Sequence, residues 1–114
     1  INSKKINQFI VTSKNIDLTT KILTKKKIIN YFSMIITPDL VGSNFGKPHP
    51  KSFSILSDKF KLQKEDSLFI GDSDIDKKFA NNSKINFLFA EWGYGFNIDN
   101  SKSIKKITDL KKLF

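Results

Sequence analysis

The sequence predicts an α/β fold of the Rossmann-like kind, a parallel sheet with helices on both faces. Three features predict it. Four short runs of β-branched and aromatic residues each stop at small or polar residues, the stretches between them place apolar groups at helical spacing, and hydroxyl, cationic and acidic residues gather just after the runs. Strands alternating with helices form βαβ units, whose strands pair in parallel and whose crossovers cover the sheet. In such sheets a ligand lies outside the carboxyl ends of the strands.

The first run is residues 8–12, Gln8 with Phe9, Ile10, Val11 and Thr12, read as a buried strand. Residues 16–28 follow as a helix, with Ile16, Leu18, Ile22, Leu23 and Ile28 on its apolar side, Lys21, Lys25 and Lys26 outside, and Asn15 or Asp17 placed to cap it. Residues 33–37 form the second strand, closed by Pro38 and a glycine-containing loop. Residues 50–61 read as a helix with Pro50 in its first turn and Phe53, Leu56 and Phe60 inward. The third strand is 67–71, the third helix 74–82 and the fourth strand 84–90; residues 103–114 carry Ile104, Ile107, Leu110 and Leu113 at helical spacing.

Composition bounds the rest. A chain of 114 residues fits one small domain, and 39% hydrophobic residues, with eleven Phe and sixteen Ile, suffice for a core. The net charge of +9 comes from twenty Lys and no Arg against eleven acids. Those Lys are scattered, and the side chain best suited to bidentate base or phosphate recognition is absent, so no nucleic-acid partner is expected. Without cysteine there is neither a disulfide nor a thiolate site. No apolar run is long enough to span a membrane and none follows Lys4 and Lys5 as a signal segment would, so the expected setting is cytoplasmic. The chain opens on Ile1 and its one Met is Met34, from which residue 1 is expected not to be a natural start.

The residues after the strands carry the chemistry. Thr12, Ser13 and Lys14 follow the first; a hydroxyl and free N–H groups leading into a helix can hold an anionic oxygen, or can simply cap that helix. Lys47 lies in Gly46-Lys47-Pro48-His49-Pro50, where flanking prolines restrict the backbone and can aim the ammonium; the alternative is a solvated lysine. His49 reads as a loop-shaping residue rather than a base. Gly71-Asp72-Ser73-Asp74-Ile75-Asp76 concentrates three carboxylates where a buried strand ends. Hard oxygen donors of this kind suit magnesium, which takes one or two carboxylates and keeps several waters. Helix capping accounts for Asp74, and dipole complementation is the alternative for Asp76, but neither explains Asp72.

In these three motifs, in this order, the chain resembles the haloacid dehalogenase-like phosphohydrolases, and within them the phosphoglycolate phosphatase-like branch. The segment with Thr12 looks like the second motif of that family, whose Thr hydroxyl and following N–H hold the transferring phosphoryl group. The segment with Lys47 looks like the third, whose Lys stabilises negative charge on nucleophile and phosphate. The segment with Asp72 and Asp76 looks like the fourth, which implies magnesium ligation by Asp72 and support of the site by Asp76. Trp92-Gly93-Tyr94-Gly95 is similar to a segment common in the branch. The resemblance covers residues 8 to about 114.

The first motif of the family, a strand ending in Asp-x-Asp with the nucleophile, has no counterpart. The resemblance therefore implies that residues 1–114 are the C-terminal part of a hydrolase core, incomplete for want of the nucleophile strand, with the first motif and any cap domain upstream. The whole protein would hydrolyse a small phosphorylated metabolite through an aspartyl-phosphate, with Mg2+ as cofactor, and these residues alone would be inactive. The same scaffold serves mutases and pyrophosphatases, and a non-catalytic Rossmann-like binding module is a further reading. A phospho-receiver domain fits less well, because its acids precede the hydroxyl and lysine.

Overall fold

The computed structural model describes residues 6–91 and 103–105, and the chain divides into two compact units, Ile1–Gly46 and Lys47–Phe114. Among the described residues every strand pairing in either unit is parallel.

In the first unit, strand β1 (Phe9–Val11) pairs with β2 (Met34–Ile36) in the register Phe9 to Met34 and Val11 to Ile36. The Thr12 N–H extends the ladder by donating to the Ile36 carbonyl at 3.0 Å. Helix α1 (Ile16–Lys25) connects the two strands. Its first-turn N–H groups would be orphaned without side-chain acceptors. Asn15 supplies one, its Oδ1 accepting from Leu18 N at 2.8 Å, and Asp39 Oδ2 accepts from Ile16 N at 3.1 Å. Of the two caps the sequence allowed, Asn15 is the one used.

The helix is shorter than its pattern predicts. It stops at Lys25 because Lys27 turns left-handed (φ 60°), letting Lys27 N bond the Thr24 carbonyl and Ile28 N the Leu23 carbonyl. That is the six-to-one, five-to-two closure usually built on glycine. Burial also falls short of the prediction. Thr19 and Leu23 are buried, but Ile16, Leu18 and Ile22 remain 40–45% exposed. Strands of three residues extend only about 10 Å, too little surface to cover a broad apolar arc. The predicted loop at Pro38 is instead a short helix α2 (Pro38–Val41), with Thr37 as N-cap and Pro38 at its first position. Ile36, Thr37 and Val41 form the buried centre with Leu23.

In the second unit, β3 (Leu68–Gly71), β4 (Asn86–Ala90) and β5 (Ser103–Ile104) form one sheet in that order. Helix α3 (Lys51–Phe60) precedes β3, and α4 (Asp74–Ser83) crosses from β3 to β4. Phe53 and Leu56 of α3 are buried as predicted, while Phe60 is only half-buried. With Phe79 (1% exposed), Ala80, Leu88, Phe89 and Ala90 they make the core of this unit. Both helices end on a left-handed lysine, Lys61 after α3 and Lys84 after α4. Ser103 and Ile104, expected to begin a terminal helix, form a strand instead, paired with Phe89 and Ala90. A strand satisfies their backbone on the edge of β4, and the Ser103 hydroxyl donates to Glu91. The rest of that predicted helix, and the segment 92–95, lie outside the described residues.

Within its own sheet β1 has β2 on one side, and β3 has β4 on one side; among the described residues no strand pairs with the other edge of either. All their residues are only half-buried.

Candidate functional site

Asp76 is the hub of the second unit's polar cluster. Helix α4 begins at the end of β3, and its N-cap is Ser73, whose Oγ accepts from Asp76 N at 3.2 Å. The hydroxyl also donates to Asp76 Oδ2 at 3.0 Å, so the two residues lock each other across the first turn. The same Oδ2 accepts from the Asp72 N–H at 3.1 Å. On the other oxygen, Oδ1 receives the Lys47 ammonium at 2.6 Å. A carboxylate has about four lone-pair sites, and three donors already occupy this one. Its side chain is 9% exposed and that of Lys47 13%, so the pair is largely removed from water.

This geometry needs glycine at 71. A Cβ built there would stand 2.4 Å from Asp76 Cβ and 2.5 Å from its Cγ and Oδ2. The carboxylate occupies the space a side chain would fill. Gly71→Ala is expected to lower stability by about 2 kcal/mol through overpacking and to part Asp76 from Lys47. Urea unfolding of the variant checks the first effect, and loss of the ion pair in its structure checks the second.

Lys47 is held from a second direction. Its Nζ lies 5.6 Å from the centroid of Phe69 on β3, and Phe69 in turn meets Phe79 edge-to-face at 4.9 Å and 64°. The loop that carries Lys47 is tied to α4 by Asn82, whose amide donates to the Pro48 carbonyl at 2.9 Å. His49 Nδ1 accepts from Lys51 N at 3.1 Å, serving the start of α3.

Asp74, to which the sequence reading gave the cap, does not cap α4. Ser73 does, because only a residue one step earlier has the extended backbone (φ −135°, ψ 164°) that points a side-chain oxygen at the first-turn N–H groups. Asp74 is the first helical residue, and its carboxylate pairs with Lys78 one turn on at 3.0 Å, with both side chains more than half exposed. The Ser-x-x-Asp spacing of Ser73 and Asp76 is a variant of the capping-box pattern and could have revealed the true cap.

In the first unit, Thr12 and Ser13 stand immediately after β1. Asn15 rather than Thr12 caps α1, so capping does not account for the Thr12 hydroxyl. That hydroxyl accepts from Lys14 N at 3.1 Å, a bond that uses an oxygen lone pair and keeps its O–H a donor. Ser13 is exposed.

The structure thus brings Lys47, Asp72 and Asp76 together in the second unit and sets Thr12 with Ser13 at the end of β1 in the first. Of the acids, Asp72 has the chemistry for a hard cation, a carboxylate at the carboxyl end of a parallel strand with its N–H anchored on Asp76. Asp76, with three of its acceptor sites already taken by Lys47, Asp72 N and Ser73, fits a supporting place better than a ligand's. Among the described residues no three His, Cys, Asp or Glu side chains converge as a metal cluster. One carboxylate is within what magnesium requires of a protein, since waters fill most of its shell.

Comparison with known proteins matches residues 1–90 to the haloacid dehalogenase-like hydrolases. The chain is 33% identical over 89 residues to a phosphoglycolate phosphatase of Nitrosococcus oceani, across 78% of this chain and 39% of that relative. A phosphoglycolate phosphatase of Aquifex aeolicus is 29% identical over 96 residues, 82% of this chain and 43% of its own length. The chain therefore spans about two-fifths of the length of these curated relatives. Among solved structures, a predicted phosphoglycolate phosphatase from Haemophilus somnus 129pt superposes with a TM-score of 0.88 at 26% identity, over 98% of this chain and 51% of that one. The core domain of a candidate phosphoglycolate phosphatase from Streptococcus pneumoniae TIGR4 gives a TM-score of 0.76 at 30% identity, over 99% and 78%.

Proposed function

Since the chain belongs to the haloacid dehalogenase-like hydrolases, we propose that it contributes the charge-stabilising and metal-binding part of a magnesium-dependent phosphatase acting on a small phosphate monoester. The observation that carries this reading is the cluster of Lys47, Asp72 and Asp76. A buried carboxylate fixes both a cation and the backbone of a second carboxylate. The names of the relatives point to phosphoglycolate as the first ester to try.

Each residue has a separate task. Asp76 holds the Lys47 ammonium at a fixed point, where it stabilises charge developing on phosphoryl oxygens without reorganising. Thr12, by the motif it carries, donates its O–H to a phosphoryl oxygen, and the backbone N–H of Ser13 that follows it adds a second donor. Asp72 is the residue that would hold Mg2+, and Asp76 supports it through the Asp72 N–H. When bound, the ion would supply Lewis-acid neutralisation of phosphoryl charge. The nucleophile is not among these residues, so they are expected to hydrolyse nothing by themselves. The aspartyl-phosphate route belongs to the whole hydrolase, in a cytoplasmic setting.

The test is hydrolysis of phosphoglycolate and a panel of other monoesters by the full natural protein, with and without magnesium. Magnesium-dependent turnover is expected, with Lys47→Ala lowering kcat by about a hundredfold or more. No turnover of any monoester in the presence of magnesium would overturn the reading.

A further inference from the structure

We propose that Phe69 is a positioning residue for Lys47, its ring face holding the ammonium beside Asp76; this rests on the reading of Lys47 as the charge-stabilising cation. Phe69 and Gly71 are two apart on β3, so they lie on the same face of the strand. The Asp76 carboxylate fills the space over Gly71, and the Lys47 Nζ stands 5.6 Å from the Phe69 centroid. The ion pair thus lies along one strand face, its anion over the residue without a side chain and its cation by the aromatic one.

A lysine ammonium has three donors on a flexible stem, and a single carboxylate oxygen fixes its distance but not its direction. A ring within about 6 Å of the charge adds a second attraction from the negative face of its quadrupole. Phe69 itself is packed edge-to-face against Phe79, which is 1% exposed in the core. The chain of support runs from the core through Phe79 and Phe69 to the ammonium. An aliphatic residue at 69 would fill the space and leave the direction of the cation unset. The partly desolvated setting of Lys47, 13% exposed, strengthens the attraction over that of a surface pair.

The experiment replaces Phe69 in the full natural protein by pentafluorophenylalanine, which keeps the ring's shape and reverses its quadrupole, and by Tyr and Leu. The fluorinated and Leu variants are expected to lose about tenfold in kcat with KM within about twofold, and Tyr to stay within about twofold of the natural rate. Independently of activity, the ε-methylene protons of Lys47 should resonate upfield in the natural protein, shielded by the ring, and lose that shift in Phe69→Leu. Natural turnover by the pentafluoro variant would overturn the proposal, since packing alone would then explain Phe69. Absence of the upfield shift in the natural protein would overturn it by removing the contact. An upfield shift that vanishes in Phe69→Leu, in a protein that hydrolyses no ester, would support the clamp while overturning the phosphatase reading.

Discussion

Asp72→Asn in the full natural protein is expected to lower magnesium-dependent ester hydrolysis by about a thousandfold, because a neutral amide replaces the charged oxygen that would hold the ion. Asp74→Asn, two residues on, is expected to stay within about threefold. Its carboxylate is more than half exposed and pairs with Lys78 along α4, a surface contact of a few tenths of a kcal/mol. The two variants remove the same charge from the same turn, so a general electrostatic effect would weaken both alike. Steady-state kinetics over a magnesium titration separates the cases: Asp72→Asn should need far more magnesium for half-maximal rate, Asp74→Asn should not. Equal losses would show that the acidic cluster acts only as a diffuse field.

The strands were legible because apolar runs bounded by small polar residues leave few alternatives; β1, β2, β3 and β4 each lie within the residues predicted for them. The end of α1 was not, although α3 and α4 stop within one residue of their predicted ends. Glycine or asparagine is the usual residue at a left-handed helix stop, whereas this chain uses Lys27, Lys61 and Lys84 in that conformation, which a lysine-rich sequence hides. Helix α2 was masked by Pro38, which reads as a breaker from a distance but as a first-turn residue once Thr37 precedes it. The site shows the same division. Asp72, Asp76, Lys47 and Thr12 stand out by type and by position after strands. The dependence of the cluster on Gly71, Ser73 and Phe69 becomes visible only when distances show a carboxylate folded back on its own strand. Periodicity also misjudged Ile16, Leu18 and Ile22, because it reports which face a helix offers and not whether anything covers it.

Asp76→Asn separates the charge of the hub from its hydrogen bonds. The amide oxygen of Asn can still accept from Asp72 N and the Ser73 hydroxyl, while its NH2 group then confronts the Lys47 ammonium, donor against donor. With Lys47 only 13% exposed, its charge is left unpaired in a poorly solvated place. Breaking a buried pair from one side costs about 3–5 kcal/mol, and the expected loss in urea unfolding lies at the lower end of that range, about 3 kcal/mol, because the partial exposure of Lys47 admits some water. If the uncompensated charge is the cause, removing it should repair the damage. Asp76→Asn combined with Lys47→Met is therefore expected to be more stable than Asp76→Asn alone, with a coupling of about 2 kcal/mol between the sites. The Met stem keeps the contact with Phe69 and carries no charge to bury. Simple additivity of the two single effects would mean that the 2.6 Å contact contributes no net attraction. Asp76 would then act on the site only through the backbone of Asp72.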